Sequence, residues 1–251
     1  MDNVKISAAM VTYNGGDKPA AAVASILARC GRYPLDFYII DNNSSDDTLN
    51  RLKSYEGIKV IKLDKNVGFG AAHNKAADLI ESDYHFVVNP DITVSSDVFA
   101  DMADFMEANP DVVMAMPKIL NTDGSEQLLP KARPTFRRLF LGRLSKKVRA
   151  EYVWANKDMS SPCPIDFCSG CFFCIRTSAF KSLGGFDERY FMYLEDADLT
   201  MRAKSMGAVY FLPDIAVTHL WSRESAKNIK LFFIHLVSCV KFLMKWRHSA
   251  Q

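Results

Sequence analysis

The chain has 251 residues, which is enough for one large domain or two small ones with a substantial core. Its formal net charge of +2 gives no reason to expect a nucleic-acid-binding protein. It contains no run of about 18 or more apolar residues, so the sequence predicts no membrane-spanning helix.

The N-terminus and the cysteines indicate a cytoplasmic protein. The stretch "MDNVKISAAMVTYN" has no basic segment followed by a long apolar one, so we expect no signal peptide. The six cysteines are too few and too clustered for a disulfide scaffold in a chain of this length. We therefore expect reduced thiols.

The first half of the chain alternates between strand patterns and helix patterns. Strands are predicted over 4–11, 35–41, 58–63, 84–89 and 112–119. Helices are predicted over 18–30, 45–55, 70–82 and 95–108. This alternation favours an α/β fold with a Rossmann-like, mostly parallel central sheet and helices on both faces. Ligands of such sheets bind outside the carboxyl ends of the strands.

The second half is less regular. Its predicted strands cover 165–175, 208–213 and 216–221, and its predicted helices cover 177–184, 195–207 and 227–248. Between Lys131 and Arg149 there are eight Lys or Arg residues and no acidic residue. This 131–149 run is predicted to be either a solvated loop or a contact with a membrane surface. The helix over 227–248, apolar with basic residues along it, is predicted either to pack on the domain or to lie on the inner leaflet.

Polar residues follow two of the predicted strands. Asp41 can accept a hydrogen bond from the imide N–H of a uracil or thymine ring, or it can close an Asx-turn. The motif Asn89-Pro90-Asp91 offers a carbonyl and a carboxylate, which are ligands that Mg²⁺ or Mn²⁺ takes alongside substrate phosphates. A simple proline turn is the alternative interpretation of that motif.

The stretch "NVGFGAAHN" contains Gly68 and Gly70 before a predicted helix. It is not a complete dinucleotide-binding fingerprint, and the chain has no phosphate loop of the Walker type. The glycines either allow a tight turn or let the backbone approach a nucleotide closely.

His219 is a better candidate for a metal ligand than the cysteines are. A lone histidine is more often packed or solvated, but a neutral imidazole is a sensible extra ligand if Asp91 binds a metal. No C-x-x-C pair lies elsewhere in the chain to partner Cys168 and Cys171, and in a strand these two would lie on opposite faces. Together with Cys163 and Cys174 they are therefore interpreted as small thiols rather than a zinc or iron–sulfur site.

Three carboxylates follow the aromatic stretch "RYFMYL". Glu195, Asp196 and Asp198 fall in the first turn of a predicted helix, where the helix dipole favours negative charge. That position alone could account for them. A partly desolvated wall beside them would also raise the pKa of a carboxyl towards that of a useful base.

Together, these motifs resemble family 2 of the inverting GT-A glycosyltransferases over nearly the whole chain. The motifs "VTYN", "DNNSSDDT", "NVGFGAAHN", "NPDI", "GGFDERYFMYLEDADL" and "VTHLW" stand in the family's order and spacing. The sequence of these motifs is most similar to that of the bacterial rhamnosyltransferase branch, whose members act in O-antigen and related polysaccharide assembly. The resemblance implies a single GT-A domain over 1–251, with a nucleotide-sugar-binding half (1–120), an acceptor half (121–225) and a C-terminal amphipathic helix (226–251).

The resemblance also implies roles for individual residues. Asp91 matches the last Asp of the family's D-x-D metal motif, and His219 matches its late metal-binding histidine. Asn89 replaces the first Asp of that motif, so the expected Mn²⁺ or Mg²⁺ site carries one negative charge less. The residues expected to bind the nucleotide sugar are Val11, Tyr13, Asp41, Asn66, Gly68, Asn74 and Asn89, with Trp221 and Arg223 on a loop over the diphosphate.

The implied reaction is inverting sugar transfer. Asp196 matches the general base of the family's "ED" pair, whose first member is Glu195. Asp198 is expected either to cap the helix or to pair with Arg202 one turn later. The expected donor is dTDP-rhamnose and the expected acceptor is a lipid-diphosphate-linked glycan, with the enzyme on the inner face of the membrane. The alternatives are a UDP-galactose- or UDP-glucose-dependent transferase, a nucleotidyltransferase, or a non-catalytic nucleotide-sugar or membrane-docking module.

Overall fold

The computed structural model describes residues 4–129, 131–142, 144–220 and 229–247. Its strands are β1 (Ile6–Thr12), β2 (Leu35–Asp41), β3 (Ile58–Lys62), β4 (Tyr84–Val88), β5 (Ile92–Thr93), β6 (Val112–Leu120), β7 (Cys163–Pro164), β8 (Phe172–Arg176) and β9 (Ala208–His219). Its α-helices are α1 (Lys18–Arg29), α2 (Thr48–Leu52), α3 (Phe69–Asn74), α4 (Val98–Ala108), α5 (Lys146–Tyr152), α6 (Thr177–Ser182), α7 (Glu195–Ala203) and α8 (Ile229–Lys245). A 3₁₀ turn covers Ala77–Leu79 and a π-helical turn covers Arg137–Leu141.

These strands form one mixed sheet in the order β3-β2-β1-β4-β8-β6-β9-β5, with β7 paired to β9. Pairing is parallel from β3 to β4 and again between β6 and β9. Strand β8 is antiparallel to both β4 and β6. The parallel run expected from the sequence therefore stops at β4, because a strand from the second half of the chain lies between β4 and β6.

The strand order creates a binding crevice in the first half of the sheet. The chain builds β1, β2 and β3 outward in one direction and then returns to place β4 on the other side of β1. Such a reversal leaves a gap between the connections at the carboxyl ends of β1 and β4, where ligands bind. Both strands are buried along their whole length, and they lead directly to Tyr13 and Asn89.

Three predicted elements differ from the observed ones. The helix expected over 70–82 ends at Asn74 and continues only as the 3₁₀ turn. The strands expected over 208–213 and 216–221 form the single strand β9, whose register shifts next to Pro213. A proline has no N–H for the ladder, so a bulge at this position is expected.

The strand expected over 165–175 is also shorter, since β8 begins at Phe172. The backbone groups of Gly170 and Cys171 bond to residues outside the β8 ladder. The Gly170 N–H donates to Asp196 at 2.8 Å, and the Cys171 carbonyl accepts from the Asn89 N–H at 2.8 Å. The turn before β8 therefore connects the end of β4 to the start of α7.

A close backbone contact joins the two halves of the chain in front of the crevice. The Phe69 N–H donates to the carbonyl of Phe191 at 2.9 Å. Gly68 has a φ of +92°, and a side chain there would collide with the Phe191 backbone. Only glycine meets both conditions at low cost.

Helix α8 packs one face on the domain and leaves the other face exposed. A small apolar core joins it to the π-helical turn and α7, through Leu139, Phe167, Tyr190, Leu194, Ala197, Cys239 and Phe242. Within the ranges that the structure describes, no helix combines the length and apolarity needed to cross a bilayer.

The fully buried carboxylate of Asp198 anchors the end of α8. It accepts from the Arg202 Nε at 2.8 Å, which confirms the expected pair, and from the Trp246 Nε1 at 2.9 Å. The Lys245 Nζ lies 2.6 Å from the Asp198 Oδ1, which is the oxygen that also accepts from Trp246. One carboxylate from α7 thus compensates two cations and an indole N–H.

Substituting Asp198 by alanine tests this anchor. We expect the free energy of unfolding to fall by about 3–5 kcal/mol, because the largely buried Arg202 loses its carboxylate partner and Lys245 keeps only Asp187. Denaturant titration measures the change. Asp166→Ala is the matched control: its pair with Lys204 is about 40% exposed on each side, so a loss of only about 0–1 kcal/mol is expected. Equal losses in the two variants would contradict the anchoring role.

Candidate functional site

A cleft of about 1090 Å³ opens at the carboxyl ends of β1 and β4. One wall comes from the first half of the chain and the other from the 131–149 segment and the start of α7. Most of the residues expected at the site line this cleft: Val11, Tyr13, Asn66, Gly68, Asn89, Asp91, Glu195, Asp196 and His219. The sequence motifs are therefore brought together in one place.

Asp91 and His219 form a pair inside the cleft. The Nε2 atom of His219 lies 3.2 Å from an Asp91 carboxylate oxygen, and both side chains are largely buried. The short strand β5 causes this proximity, because Ile92 pairs with His219 across an antiparallel ladder. The Leu220 N–H also donates to the Asp91 carbonyl at 2.9 Å.

Gln127 orients the imidazole of His219. Its side-chain oxygen lies 3.1 Å from the His219 Nδ1, and its amide nitrogen donates to the His219 carbonyl at 3.2 Å. A partner on Nδ1 leaves Nε2 as the nitrogen that faces Asp91, which is the arrangement typical of a metal-binding histidine. The sequence reasoning missed Gln127, since no local motif marks it.

The pair fits a divalent cation that completes its coordination with substrate. Asp91 and His219 supply one carboxylate and one imidazole, and Asn89 lies beside them in the cleft. Among the described residues, no group of three or more potential ligands is gathered for a metal ion. Mg²⁺ and Mn²⁺ sites with one or two protein carboxylates take their remaining ligands from substrate phosphates and water.

Glu195 and Asp196 open helix α7 on the opposite wall. The Asp196 carboxylate accepts from the Gly170 N–H at 2.8 Å and from its neighbour's N–H, that of Ala197, at 2.8 Å. Glu195 is 5% exposed, and its Oε2 atom has no hydrogen-bond partner among the described groups. Two carboxyls thus face one cleft in different environments.

The chain reaches these carboxyls through a strained turn. Tyr193 and Leu194 have φ values of 72° and 64°, the left-handed region that non-glycine residues rarely adopt. Such strain costs on the order of 1–3 kcal/mol per residue and persists only where the surroundings impose it. Leu194 is held by the small apolar core under α8. The turn directs Glu195 and Asp196 into the cleft.

Burial sets the protonation of this pair. It raises the pKa of Glu195 well above its ordinary value, and the charge of Asp196 raises it further. Burial also raises the pKa of Asp196, although the Gly170 N–H and the Lys131 ammonium oppose that shift. The pKa of Glu195 is thus raised more strongly than the pKa of Asp196, and two carboxyls with different pKa values are typical of catalytic carboxyl pairs.

Two expected site residues do not line the cleft. Asp41 is fully buried and accepts from the Ser44 N–H at 3.1 Å, so it closes the Asx-turn considered from the sequence. Asn74 bonds to both backbone groups of Phe186, with its Oδ1 accepting at 2.9 Å and its Nδ2 donating at 2.9 Å. It clamps the segment that leads to α7.

Asn42, which the sequence reasoning passed over, takes the position in the cleft next to Asp41. Its amide nitrogen donates to Asn66 at 3.0 Å and to the Gly68 carbonyl at 3.2 Å. Its oxygen accepts from the Val67 N–H at 2.9 Å. These bonds fix the loop before α3. The repeated Asn in "DNNSSDD" was the available signal.

The remaining expectations from the sequence concern the loop residues Trp221 and Arg223 and the cysteines. Trp221 and Arg223 lie outside the described residues. Cys168, Cys171 and Cys174 are buried free thiols, and burial raises the pKa of each one. Because Cys168 and Cys171 precede β8, the alternation argument applied to them from the sequence does not hold.

Comparison with known proteins identifies the family. The model of "Glycosyl transferase family 2" matches residues 7–184. The N-acetylglucosaminyl-diphospho-decaprenol L-rhamnosyltransferase of Mycobacterium tuberculosis is 28% identical over 236 residues, which cover 87% of this chain and 76% of that protein. Rhamnosyltransferase WbbL of Escherichia coli is 27% identical over 195 residues, covering 72% of this chain and 71% of that one.

Solved structures share the fold. GalNAc-T7 in complex with UDP, GalNAc and Mn²⁺ superposes with a TM-score of 0.67 at 18% identity, covering 88% of this chain and 44% of that chain. Staphylococcus aureus TarS 1–349 with UDP-GlcNAc gives a TM-score of 0.66 at 20% identity, covering 96% and 67%. This chain thus spans less than half of the former. The expected GT-A fold class is confirmed.

Substituting Glu195 by glutamine tests the buried carboxyl. A group whose pKa is raised by folding contributes stability that is full below its unfolded pKa and is lost as pH rises through the folded value. We therefore expect wild-type stability to fall with rising pH above about 4.5, relative to Glu195→Gln. Urea titrations across the pH range measure the difference. Parallel pH profiles would show that Glu195 is not perturbed.

Proposed function

Because the chain belongs to Glycosyl transferase family 2 and is therefore a glycosyltransferase, we propose that it transfers L-rhamnose from dTDP-rhamnose to a lipid-linked glycan acceptor. The observation that carries the reaction type is the ionisable pair Glu195–Asp196 across one cleft from Asp91 and His219. The names of the two bacterial relatives support the sugar, and the name of the mycobacterial one supports the lipid-linked acceptor. The product would serve cell-surface polysaccharide synthesis.

We assign the donor to the wall formed by the first half of the chain. Val11 and Tyr13 contact the base, and Asn66, Gly68 and Asn89 line the sugar and diphosphate. Asp41 and Asn74 support this wall from behind, through the turn at Ser44 and the clamp on Phe186. Trp221 and Arg223 remain proposed as loop residues over the diphosphate.

Asp196 is the proposed general base. Its carboxylate takes the proton from an acceptor hydroxyl, and that oxygen bonds to the anomeric carbon as the bond to the nucleoside diphosphate breaks on the opposite face. The anomeric centre is therefore inverted. The Gly170 N–H keeps the carboxylate oriented, and burial keeps its basicity high. Protonated Glu195 can donate to a sugar oxygen from its unpartnered Oε2.

Asp91 and His219 would hold a Mn²⁺ or Mg²⁺ ion, with Gln127 fixing the imidazole. Such an ion, when bound, neutralises the charge that develops on the leaving diphosphate. The Mn²⁺ complex of a structural neighbour supports a divalent metal in this fold. Asn89 contributes no charge, so affinity for the free ion should be modest and should rise with bound nucleotide.

Donor assays test the activity directly. Binding and hydrolysis of dTDP-rhamnose, UDP-galactose, UDP-glucose and GDP-mannose are compared with and without Mn²⁺ or Mg²⁺. We expect metal-dependent use of dTDP-rhamnose and loss of hydrolysis in Asp91→Ala. Asp196→Asn should lower kcat for transfer by about 10²–10⁴-fold while donor binding is kept.

Asp166→Asn removes a half-exposed carboxylate that does not belong to the cleft lining and serves as the control. It should retain donor binding, hydrolysis and transfer. Preference for a UDP-hexose would replace the proposed sugar. Failure to bind any donor would overturn the enzymatic assignment in favour of a docking module.

We further propose that the protein docks on the inner face of the membrane through α8 and the 131–149 segment. The outward face of α8 carries an apolar stripe at helical spacing, formed by Ile229, Phe233, Val237, Val240 and Met244. Lys230 and Lys241 border a groove on this helix. An apolar stripe with flanking lysines suits an anionic bilayer surface.

Vesicle co-sedimentation tests the docking. Binding to phosphatidylcholine vesicles should rise when phosphatidylglycerol is included, and it should fall at least about tenfold in Phe233→Glu/Val240→Glu. Leu79→Glu/Met206→Glu places the same two charges at exposed apolar side chains outside α8 and should bind like wild type. Equal binding by all three proteins would exclude α8 as the contact.

A further inference from the structure

Three cations line the cleft, and the transfer chemistry described above assigns none of them to a substrate. Lys131, Arg138 and Arg149 all border the cavity that contains Asp196. They come from the 131–149 segment, across the cavity from Asp91 and His219 and from the loops proposed for the nucleotide. These three residues are called the cation triad below.

Only some of the basic residues in the 131–149 segment line the cleft. Arg133 donates to the Trp246 carbonyl at 3.3 Å, and Arg137 pairs with Glu151. Lys146 and Lys147 are exposed and do not belong to the cleft lining. The cation triad is therefore a selected part of the basic run and does not simply follow from its overall charge.

The triad lacks a carboxylate in direct contact. In the described ranges, no acidic side chain forms an ion pair with Arg138 or Arg149. Arg138 uses one Nη1 bond on the Arg133 carbonyl, at 2.8 Å. The Lys131 ammonium lies over the rings of Phe167 and Tyr152, at 5.0 and 5.9 Å from their centroids. Lys131 and Arg138 are half-buried and Arg149 is exposed, so what distinguishes the triad from Lys146 and Lys147 is its position in the cleft lining. Cations that share one cleft are stabilised when an anion binds between them.

We infer that Lys131, Arg138 and Arg149 form a subsite for the diphosphate of the acceptor, which is an organic diphosphate with a lipid tail. This inference rests on the proposed function. Guanidinium groups bind phosphate oxygens bidentately, and Arg138 and Arg149 match the two negative charges of a diphosphate diester. The Lys131 ammonium adds a third positive charge, which also acts on Asp196. Binding there places the diphosphate beside Asp196, so the first sugar of the acceptor reaches the base.

The outer side of the same segment suits the tail of this molecule. Phe136, Leu141 and Leu144 are 64%, 44% and 85% exposed, respectively. Cations therefore line the cleft while apolar side chains of the same segment face solvent. An amphiphile whose charged group adjoins a lipid chain needs both features side by side. A soluble phosphorylated acceptor has no lipid chain that could contact these exposed apolar side chains.

Binding of two diphosphates to variants tests the subsite without any sugar transfer. Calorimetry measures geranyl diphosphate, a short and soluble prenyl diphosphate, and dTDP, which represents the donor, with metal and sugar nucleotide omitted. In Arg138→Gln/Arg149→Gln we expect the affinity for geranyl diphosphate to fall roughly tenfold or more. The affinity for dTDP should change by less than about twofold.

Two further variants test whether the loss of affinity for geranyl diphosphate is specific to the cation triad. Lys146→Gln/Lys147→Gln removes the same charge from the same segment and should keep wild-type affinity for both ligands. Lys131→Met removes the third cation alone and should weaken geranyl diphosphate binding again. Thermal unfolding of each variant verifies that it is folded, and geraniol, which has no phosphate, should bind all of them alike.

Each contrary result overturns the inference. An equal loss in the Lys146/Lys147 control would mean that only the total charge matters. A loss for dTDP instead of geranyl diphosphate would assign the triad to the donor, and unchanged binding of both ligands would leave it a solvated surface. Because neither assay requires turnover, failure of dTDP-rhamnose as the donor remains a separate result.

Discussion

The pairing of β9 with the two-residue strand β5 is the constraint on which the site depends. Strand β9 crosses the second half of the sheet, and its last residue, His219, meets Ile92 directly after Asp91. The Asp91–His219 pair exists only because this short ladder ends there, with the Leu220 N–H on the Asp91 carbonyl. Gln127 then fixes the imidazole from a third segment. Backbone hydrogen bonds thus position the polar chemistry.

The opposite wall depends on strain and burial. Two left-handed residues, Tyr193 and Leu194, direct Glu195 and Asp196 into the cleft, and the apolar core under α8 compensates for the strain. The Gly68–Phe191 contact keeps this wall against the loop before α3. Helix α8 therefore supports the Glu195–Asp196 pair on its inner face while its outer face remains exposed. The proposed catalysis and the proposed docking would share one structural element.

Local patterns predicted most of the elements but not their arrangement. The strand over 35–41 was predicted with its observed bounds, since its apolar run is bounded by polar turns. The position of β8 between β4 and β6 could not be predicted, because periodicity does not identify a strand's neighbours. The expected strand over 165–175 failed because Gly170 and Cys171 bond to Asp196 and Asn89, which are distant in the sequence.

The sequence by itself determined the alternating elements, the order of the motifs and the residue types of the candidate site. It did so because burial periodicity and turn chemistry are local properties. Only the tertiary structure decided that Asn42 lines the cleft while Asp41 does not, and that the cation triad lines the same cleft as Asp196. It also decided that the pKa of Glu195 is raised, because the pKa of a carboxyl depends on burial by residues far away in the chain.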